Sequence, residues 1–271
     1  MAQQSVLCDV SLCTGCKACD VACKSWNSLP AVPTTLVESY QAHPTFDPQT
    51  WTYVRFREVG AGTAFRWHIS KLQCVHCQHA TCEMVCPVAA IRHTSAGFVV
   101  IDETKCIGCA FCVETCPFGV PKLDVARQKA YKCWGCANRV AAGEAPACVK
   151  TCPTQALRFE DRAALLAHAR RRLPMVRRRF PRAQLYGATD PPGGSSVGTL
   201  NWFYLLTDAP SAFGLPDHPA IPESVTVWRD IRPVLDGIFG LTVLGVAASY
   251  LANLGRGTDL GRDQPEDLAG R

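Results

Sequence analysis

The stretch Cys106-Ile107-Gly108-Cys109-Ala110-Phe111-Cys112-Val113-Glu114-Thr115-Cys116-Pro117 decides how the rest of the chain is read. Its four thiols fall in C-x2-C-x2-C-x3-C spacing. Gaps of two residues let three successive sulfurs wrap one face of a metal–sulfide cube, with backbone N–H groups turned toward the sulfides. The proline after the fourth cysteine ends the local helix and turns the chain. An apolar run, GFVVIDETK at 97–105, leads into the group.

Three further groups lie on either side. Cys74, Cys77, Cys82 and Cys86 come before it and end at Pro87. Cys13, Cys16, Cys19 and Cys23 open the chain with the same tight spacing. Cys133, Cys136, Cys148 and Cys152 follow and end at Pro153. The groups form an internal repeat of two types. The first and third are tight. The second and fourth stretch the gap before their third cysteine and run into CPVAAI or CPTQAL, a turn followed by a strand start.

The repeat uses sixteen of the 17 cysteines. An odd, grouped count argues against a disulfide scaffold. Single C-x2-C pairs often bind zinc, but four complete sets of four point to four [4Fe–4S] clusters. No group lacks a cysteine that would leave an iron open to substrate. No catalytic residue is therefore expected, and the expected role is a wire for single electrons, not an enzyme in its own right. A Walker motif, a nucleophile–base pattern and a Rossmann fingerprint are all missing, which counts against a free-standing enzyme.

The formal charge of +5 counts every thiol as neutral. Sixteen thiolates outweigh the positive charge of four oxidised cores, so the basic excess largely offsets cluster charge and is no nucleic-acid signal. The opening residues, MAQQSVLCDVSL, carry neither a cationic n-region nor a long apolar h-region, and no cleavable signal peptide is expected. Near the far end, Gly237 to Leu254 reads GIFGLTVLGVAASYLANL, without a formal charge. As a helix it would span roughly 27 Å, close to a bilayer's hydrocarbon thickness. A single membrane span is expected there, after the helix breaker Pro233. Arg229 and Arg232 precede it and Arg256, Arg262 and Arg271 follow, which leans toward a cytoplasmic tail.

Residues 74–117 resemble a bacterial two-cluster ferredoxin in their order of Cys-Pro, hairpin and CIGC. In that motif the fourth cysteine of each group ligates the neighbouring cluster. The resemblance implies the sets Cys74, Cys77, Cys82 with Cys116, and Cys106, Cys109, Cys112 with Cys86. The first and fourth groups remain to pair, implying Cys13, Cys16, Cys19 with Cys152, and Cys133, Cys136, Cys148 with Cys23. The expected fold is α+β: two ferredoxin-like 2[4Fe–4S] units, one inserted into the other, plus a single C-terminal transmembrane helix. Residues 1–73 and 118–160 would form the split unit and 74–117 the inserted one. Residues 161–232 would be an extension docking on partners, 233–255 the span and 256–271 a tail.

Between the first two groups, Trp51–Val59 and Ala64–Leu72 read as strands joined at Gly60-Ala61-Gly62. Phe65, Trp67 and Ile69 alternate with Arg66, His68 and Ser70, the period of a half-buried strand. Residues 24–50 are proline-rich and read as irregular. Arg162–Leu173 reads as a helix, Leu200–Thr207 as a strand, and Asp190–Gly198 as a loop. Pro210–Pro222 reads as another irregular stretch.

Several residues stand outside the repeat. Cys8 reads as a small buried hydrophobe, with ligation as its rival. His76 and His79 lie inside the second group, where four cysteines already complete the set. Lys17, Lys122 and Lys132 stand close to ligands, either raising cluster potentials or merely solvated. Trp134 would shield a cluster from water. Seven arginines between Arg170 and Arg182 form a solvated helix face or a docking surface for an acidic partner or lipid headgroups.

Over nearly its whole length the chain resembles the iron–sulfur (beta) subunit of membrane-bound respiratory formate dehydrogenase. The matching stretches are CTGCKACDVACKSWN, WTYVRFREV, CIGCAFCVETCPFGVPKL, YKCWGCANRV, PACVKTCPTQALRF and GLPDHPAIPESVTVW, followed by the apolar segment. The four-cluster core is also similar to electron-transfer subunits of sulfur and oxyanion reductases and some hydrogenases. The resemblance implies three things. A molybdenum or tungsten pterin catalytic (alpha) subunit would deliver electrons from formate. A haem b membrane (gamma) subunit would pass them to quinone. The soluble body would lie on the periplasmic side of the inner membrane, exported as a passenger on the catalytic subunit's twin-arginine signal, with the C-terminus cytoplasmic.

Overall fold

The computed structural model describes residues 3–37, 40–189 and 197–254. The chain divides into two units, Met1–Thr226 and Val227–Arg271. In chain order the elements are β1 (Gln4–Asp9), α1 (Ala18–Trp26), β2 (Tyr53–Val59), β3 (Arg66–Leu72), α2 (Thr81–Met84), β4 (Ile91–His93), β5 (Val99–Ile101), α3 (Phe111–Glu114), β6 (Lys122–Asp124) and β7 (Lys129–Tyr131). They continue with α4 (Ala137–Ala141), α5 (Ala147–Lys150), β8 (Leu157–Asp161), α6 (Arg162–Arg179), β9 (Gln184–Tyr186), β10 (Trp202–Leu206) and α7 (Glu223–Leu254).

The cysteine groups set the rhythm. The first three contribute one helix each and the fourth two, α4 and α5, and strand pairs separate the groups. β4, after the second group, pairs antiparallel with β5, before the third. In the same sense β8, after the fourth group, pairs antiparallel with β1, before the first. The helices match this pattern, with α1 packed on α5 and α2 on α3. α1 runs for nine residues, whereas α2, α3 and α5 run for four. The difference follows from sequence: Pro87, Pro117 and Pro153 stop the short helices, while Lys24 follows Cys23 and lets α1 continue.

A four-stranded sheet in the order β8-β1-β10-β9 forms the backing wall. β1 and β10 pair in parallel at its centre, with Val6 opposite Trp202 and Cys8 opposite Tyr204. Strand alternation divides these residues between two faces. Val6, Cys8, Trp202, Tyr204 and Leu206 join the core that holds Cys19, Cys74, Cys133 and Cys148. Leu7, Phe203 and Leu205 pack instead on Leu165, Ala169 and Val176 of α6. Asp161 caps α6 by accepting the Ala163 N–H at 2.9 Å.

Three sequence expectations are modified. α6 runs past Leu173 and through Pro174 to Arg179. A proline costs its turn one N–H bond but does not stop a helix whose Leu165, Ala169 and Val176 are buried. α7 likewise runs through Pro233 and starts at Glu223, earlier than the expected span. β3 is not half-buried by alternation: Arg66 and Trp67 are exposed, and Ser70, Lys71 and Leu72 are buried. β2 and β3 form a two-stranded ribbon whose hairpin end projects outward, so distance from the core, not residue parity, sets burial.

In the second unit α7 carries exposed apolar side chains such as Phe239, Leu241, Leu244 and Leu251. It is one helix long and apolar enough to cross a membrane. The tail at 256–271, and residues 190–196 of the expected loop, lie outside the described residues.

Candidate iron–sulfur centres

Three groups contain a C-x-G-C loop, and in each the glycine is left-handed: Gly15, Gly108 and Gly135 have φ near +70° (71, 72 and 69). At Gly108 a Cβ would come within 2.5 Å of the Gln128 carbonyl oxygen, and at Gly135 it would overlap the Phe98 ring. Only glycine meets both demands. In the second group His76 occupies the equivalent place with φ +50°. It is held there by burial and by the Val99 N–H, which donates to Nδ1 at 3.0 Å. His76 is thus a backbone-bonded core residue. His79 is exposed, and its backbone N–H donates to the Val197 carbonyl at 2.8 Å.

The Cys-Pro turns share one geometry. The N–H three residues after each cysteine donates back to its carbonyl: Ala89 to Cys86 at 3.3 Å, Gly119 to Cys116 at 3.0 Å and Gln155 to Cys152 at 3.3 Å. Ala89, Gly119 and Gln155 all have positive φ. The turns bring these cysteines back toward other groups. Further N–H donors reach the sulfurs, with Ala90 donating to Cys86 Sγ at 3.2 Å and Ala130 to Cys106 Sγ at 3.5 Å.

Two cavities show which cysteines meet. The lining of one includes Cys106, Cys109, Cys112 and Cys86. The lining of the other includes Cys133, Cys136, Cys148 and Cys23. In both, three thiols come from one group and one from another. Seven of the remaining eight fall into two electrostatic groups, and Cys19 interacts with both Cys148 and Cys13. Burial raises the Cys13 thiol pKa, and Cys152 and Cys16 raise it further. Burial raises Cys77, and Cys74, Cys116 and Cys82 add to it. Burial likewise pushes Cys133 up to about 11 and Cys112 up to about 12. Buried thiols this weakly acidic lose their protons to a metal, not to water. The Cys16 and Cys109 side chains are exposed.

The donor sets suit the cube implied by the spacing. In each cavity the lining brings four thiols together, the number a cube with one thiolate per iron requires. Among the described residues no three His, Cys, Asp or Glu side chains converge on a single-ion site. The second cavity is also lined by Trp202, whose buried indole N–H has no acceptor among the described residues. A cluster sulfur there would supply one.

Buried lysines accompany the thiols. Lys132 is 4% exposed and donates to the carbonyls of Val99 at 2.5 Å and Cys133 at 3.0 Å. It is therefore not a solvated surface lysine. Lys17 donates to the Tyr40 carbonyl and lies 5.2 Å from the Phe56 ring centroid, and Lys122 is half-buried. Lys71 was not singled out by sequence, although it is buried and lines the second cavity. The available signal was a lysine in phase with Phe65, Trp67 and Ile69. Cys8 is fully buried in β1 against the sheet core and joins neither cavity. Trp134 donates its indole N–H to Asn27 at 2.7 Å and lines the second cavity, as a shielding residue would. Within the arginine run, Arg172 binds the buried Asp9, Arg177 caps Ala183, and Arg182 pairs with Asp208.

Family models described as 4Fe-4S dicluster domains match residues 12–90 and 65–162. Cysteine spacing, cavities and these matches define a dicluster iron–sulfur protein carrying four [4Fe–4S] clusters. The formate dehydrogenase iron-sulfur subunit of Haemophilus influenzae is 39% identical over 252 residues, covering 90% of this chain and 79% of that one. The formate dehydrogenase-O iron-sulfur subunit of Escherichia coli is 36% identical over 92% of this chain and 80% of its own. A probable anaerobic dimethyl sulfoxide reductase chain of Escherichia coli is 35% identical over 71% of this chain and 93% of its own. The chain belongs to the family of formate dehydrogenase iron–sulfur subunits.

Proposed function

We propose that the chain is the electron relay of a formate dehydrogenase, holding its clusters in four crossed cysteine sets. These are Cys13, Cys16, Cys19, Cys152; Cys133, Cys136, Cys148, Cys23; Cys74, Cys77, Cys82, Cys116; and Cys106, Cys109, Cys112, Cys86. The carrying observation is the pair of cavities that each gather three cysteines of one group and one of another. The pairing of β8 with β1 and of β4 with β5 supports a split unit, 1–73 and 118–160, around an inserted one, 74–117. When bound, each cluster supplies one-electron redox chemistry.

The residues of the chain suggest an order. Exposed Cys16 and Cys109 put the first and last of these sets within reach of partners. Cys133 and Cys74 interact electrostatically, which joins the inner two. The order is therefore the Cys13 set, the Cys133 set, the Cys74 set and the Cys106 set. A catalytic subunit meets one end and a cytochrome b membrane subunit the other. α7 anchors the relay in the inner membrane with its soluble body on the periplasmic side. The formate dehydrogenase relatives match about 90% of this chain and the dimethyl sulfoxide reductase relative 71%, which favours the former over a reductase or hydrogenase relay.

The test is Cys152→Ala, read by electron paramagnetic resonance of the complex purified from membranes. The signal lost should be the one that Cys13→Ala also removes. Loss of the signal that Cys136→Ala removes would overturn the crossed sets.

A further inference from the structure

Lys71 of β3 is 1% exposed. Its Nζ donates to Thr52 Oγ1 at 2.6 Å and to Gln73 Oε1 at 3.0 Å, and it stands 4.8 Å from the Trp202 ring centroid. Both acceptors are neutral. Lys71 makes no ion pair among the described residues. The Asp20 carboxylate, which accepts the Val54 N–H at 3.0 Å, also interacts with it electrostatically but forms no ion pair with it. A buried ammonium without a bound anion is strongly destabilising. Such a charge is kept buried only where something negative faces it.

What faces it is cysteine from two sets. Lys71 lines the cavity of Cys23, Cys133, Cys136 and Cys148. Burial acts to lower its pKa, but Cys148, Cys19, Cys133 and Cys23 more than offset this and hold it above the usual lysine value. Three of those cysteines belong to the Cys133 set; Cys19, of the Cys13 set, lies in one buried core with Cys133, Cys148 and Trp202, the ring beneath Lys71. Reduction adds one negative charge to a cluster, and a fixed positive charge nearby stabilises the reduced form.

We propose that Lys71 is the shared counter-charge of these two clusters, stabilising the reduced state of both and so raising their potentials together. Lys71 touches neither reacting partner of the enzyme and acts through the clusters' potentials. The inference rests on the crossed ligand sets proposed above.

Potentiometric titration of the complex purified from membranes tests it, with signals first assigned by Cys19→Ala and Cys148→Ala. In Lys71→Met the reduced-to-oxidised ratio of both assigned clusters at a fixed potential should fall about tenfold, or about 59 mV for a one-electron couple. The other two clusters should stay near their original potentials. Lys71→Arg should restore most of the shift. Lys71→Gln, which keeps a polar contact to Thr52, should behave like Lys71→Met and serves if the latter does not assemble. Unchanged potentials, an equal shift in all four clusters, or a shift in one alone would each overturn the proposal. If Cys19→Ala and Cys148→Ala remove the same signal, the ligand sets themselves are wrong, and this appears before any Lys71 variant is made.

Discussion

His76 Nε2 lies 3.9 Å from Cys133 Sγ, joining the loop of the second cysteine group to a cysteine of the fourth. The Val99 N–H donates to the other ring nitrogen, so the neutral imidazole carries its proton on Nε2 and offers it to the sulfur. Burial holds the ring's pKa well below the usual histidine value, so it stays neutral. His76→Ala should lower the potential of the cluster held by Cys133, because a donor to a ligand sulfur is lost. It should also leave the Val99 N–H unsatisfied, at about 1–3 kcal/mol. Potentiometry and thermal loss of visible absorbance read the two effects separately.

Gly108→Ala should remove the cluster of the Cys106 set. The added Cβ meets a backbone carbonyl, which cannot swing aside, and φ +72° adds strain. Gly62→Ala, also at positive φ but with nothing within 4 Å, is the control for strain alone. Iron and acid-labile sulfide should fall by one cluster's worth in the first variant only.

Arg172→Ala should destabilise the body by about 3 kcal/mol. Arg172 binds the Asp9 carboxylate and donates to Ser11 Oγ at 3.0 Å, joining α6 to the strand that leads into the first cysteine group. Asp9 is 1% exposed and would be left without its cation. The midpoint of thermal unfolding, followed by circular dichroism, should drop with all four clusters still assembled at low temperature.

Cys8→Ala should leave iron content unchanged. Cys8 packs between Leu157 and Tyr204 in the sheet and reaches neither cysteine-lined cavity. The small cavity created should cost about 1 kcal/mol. Iron analysis of the purified variant checks the first statement and its melting temperature the second.

Truncation after Thr226 should release the protein from the membrane fraction without loss of clusters. The full chain should resist extraction by salt and carbonate and yield only to detergent. Fractionation followed by immunoblotting distinguishes a span from a peripheral contact.

Much of the site was legible because cluster ligation is written locally. Cys106, Cys109 and Cys112 fall within one turn and one short helix, so their spacing alone reports their geometry. The strand at 200–207 was legible for the same reason, as a continuous apolar run. The burial of β3 was not, because alternation assumes a strand lying flat on a core and this ribbon stands away from it. Nor was the importance of Lys71: a lysine between Ser70 and Leu72 reads as surface until another chain segment covers it.

The number of clusters and the apolar helix follow from the sequence alone, since each depends on residues close together in the chain. Tertiary structure decided what meets across distance. It brought Cys23 to Cys133, Cys136 and Cys148, placed His76 beside Cys133, and set Lys71 over Trp202. Those partners come from segments the covalent chain does not hold together. Folding brings them together: β10, which carries Trp202, pairs with β1, and α1, which carries Cys23, packs on α5, which carries Cys148.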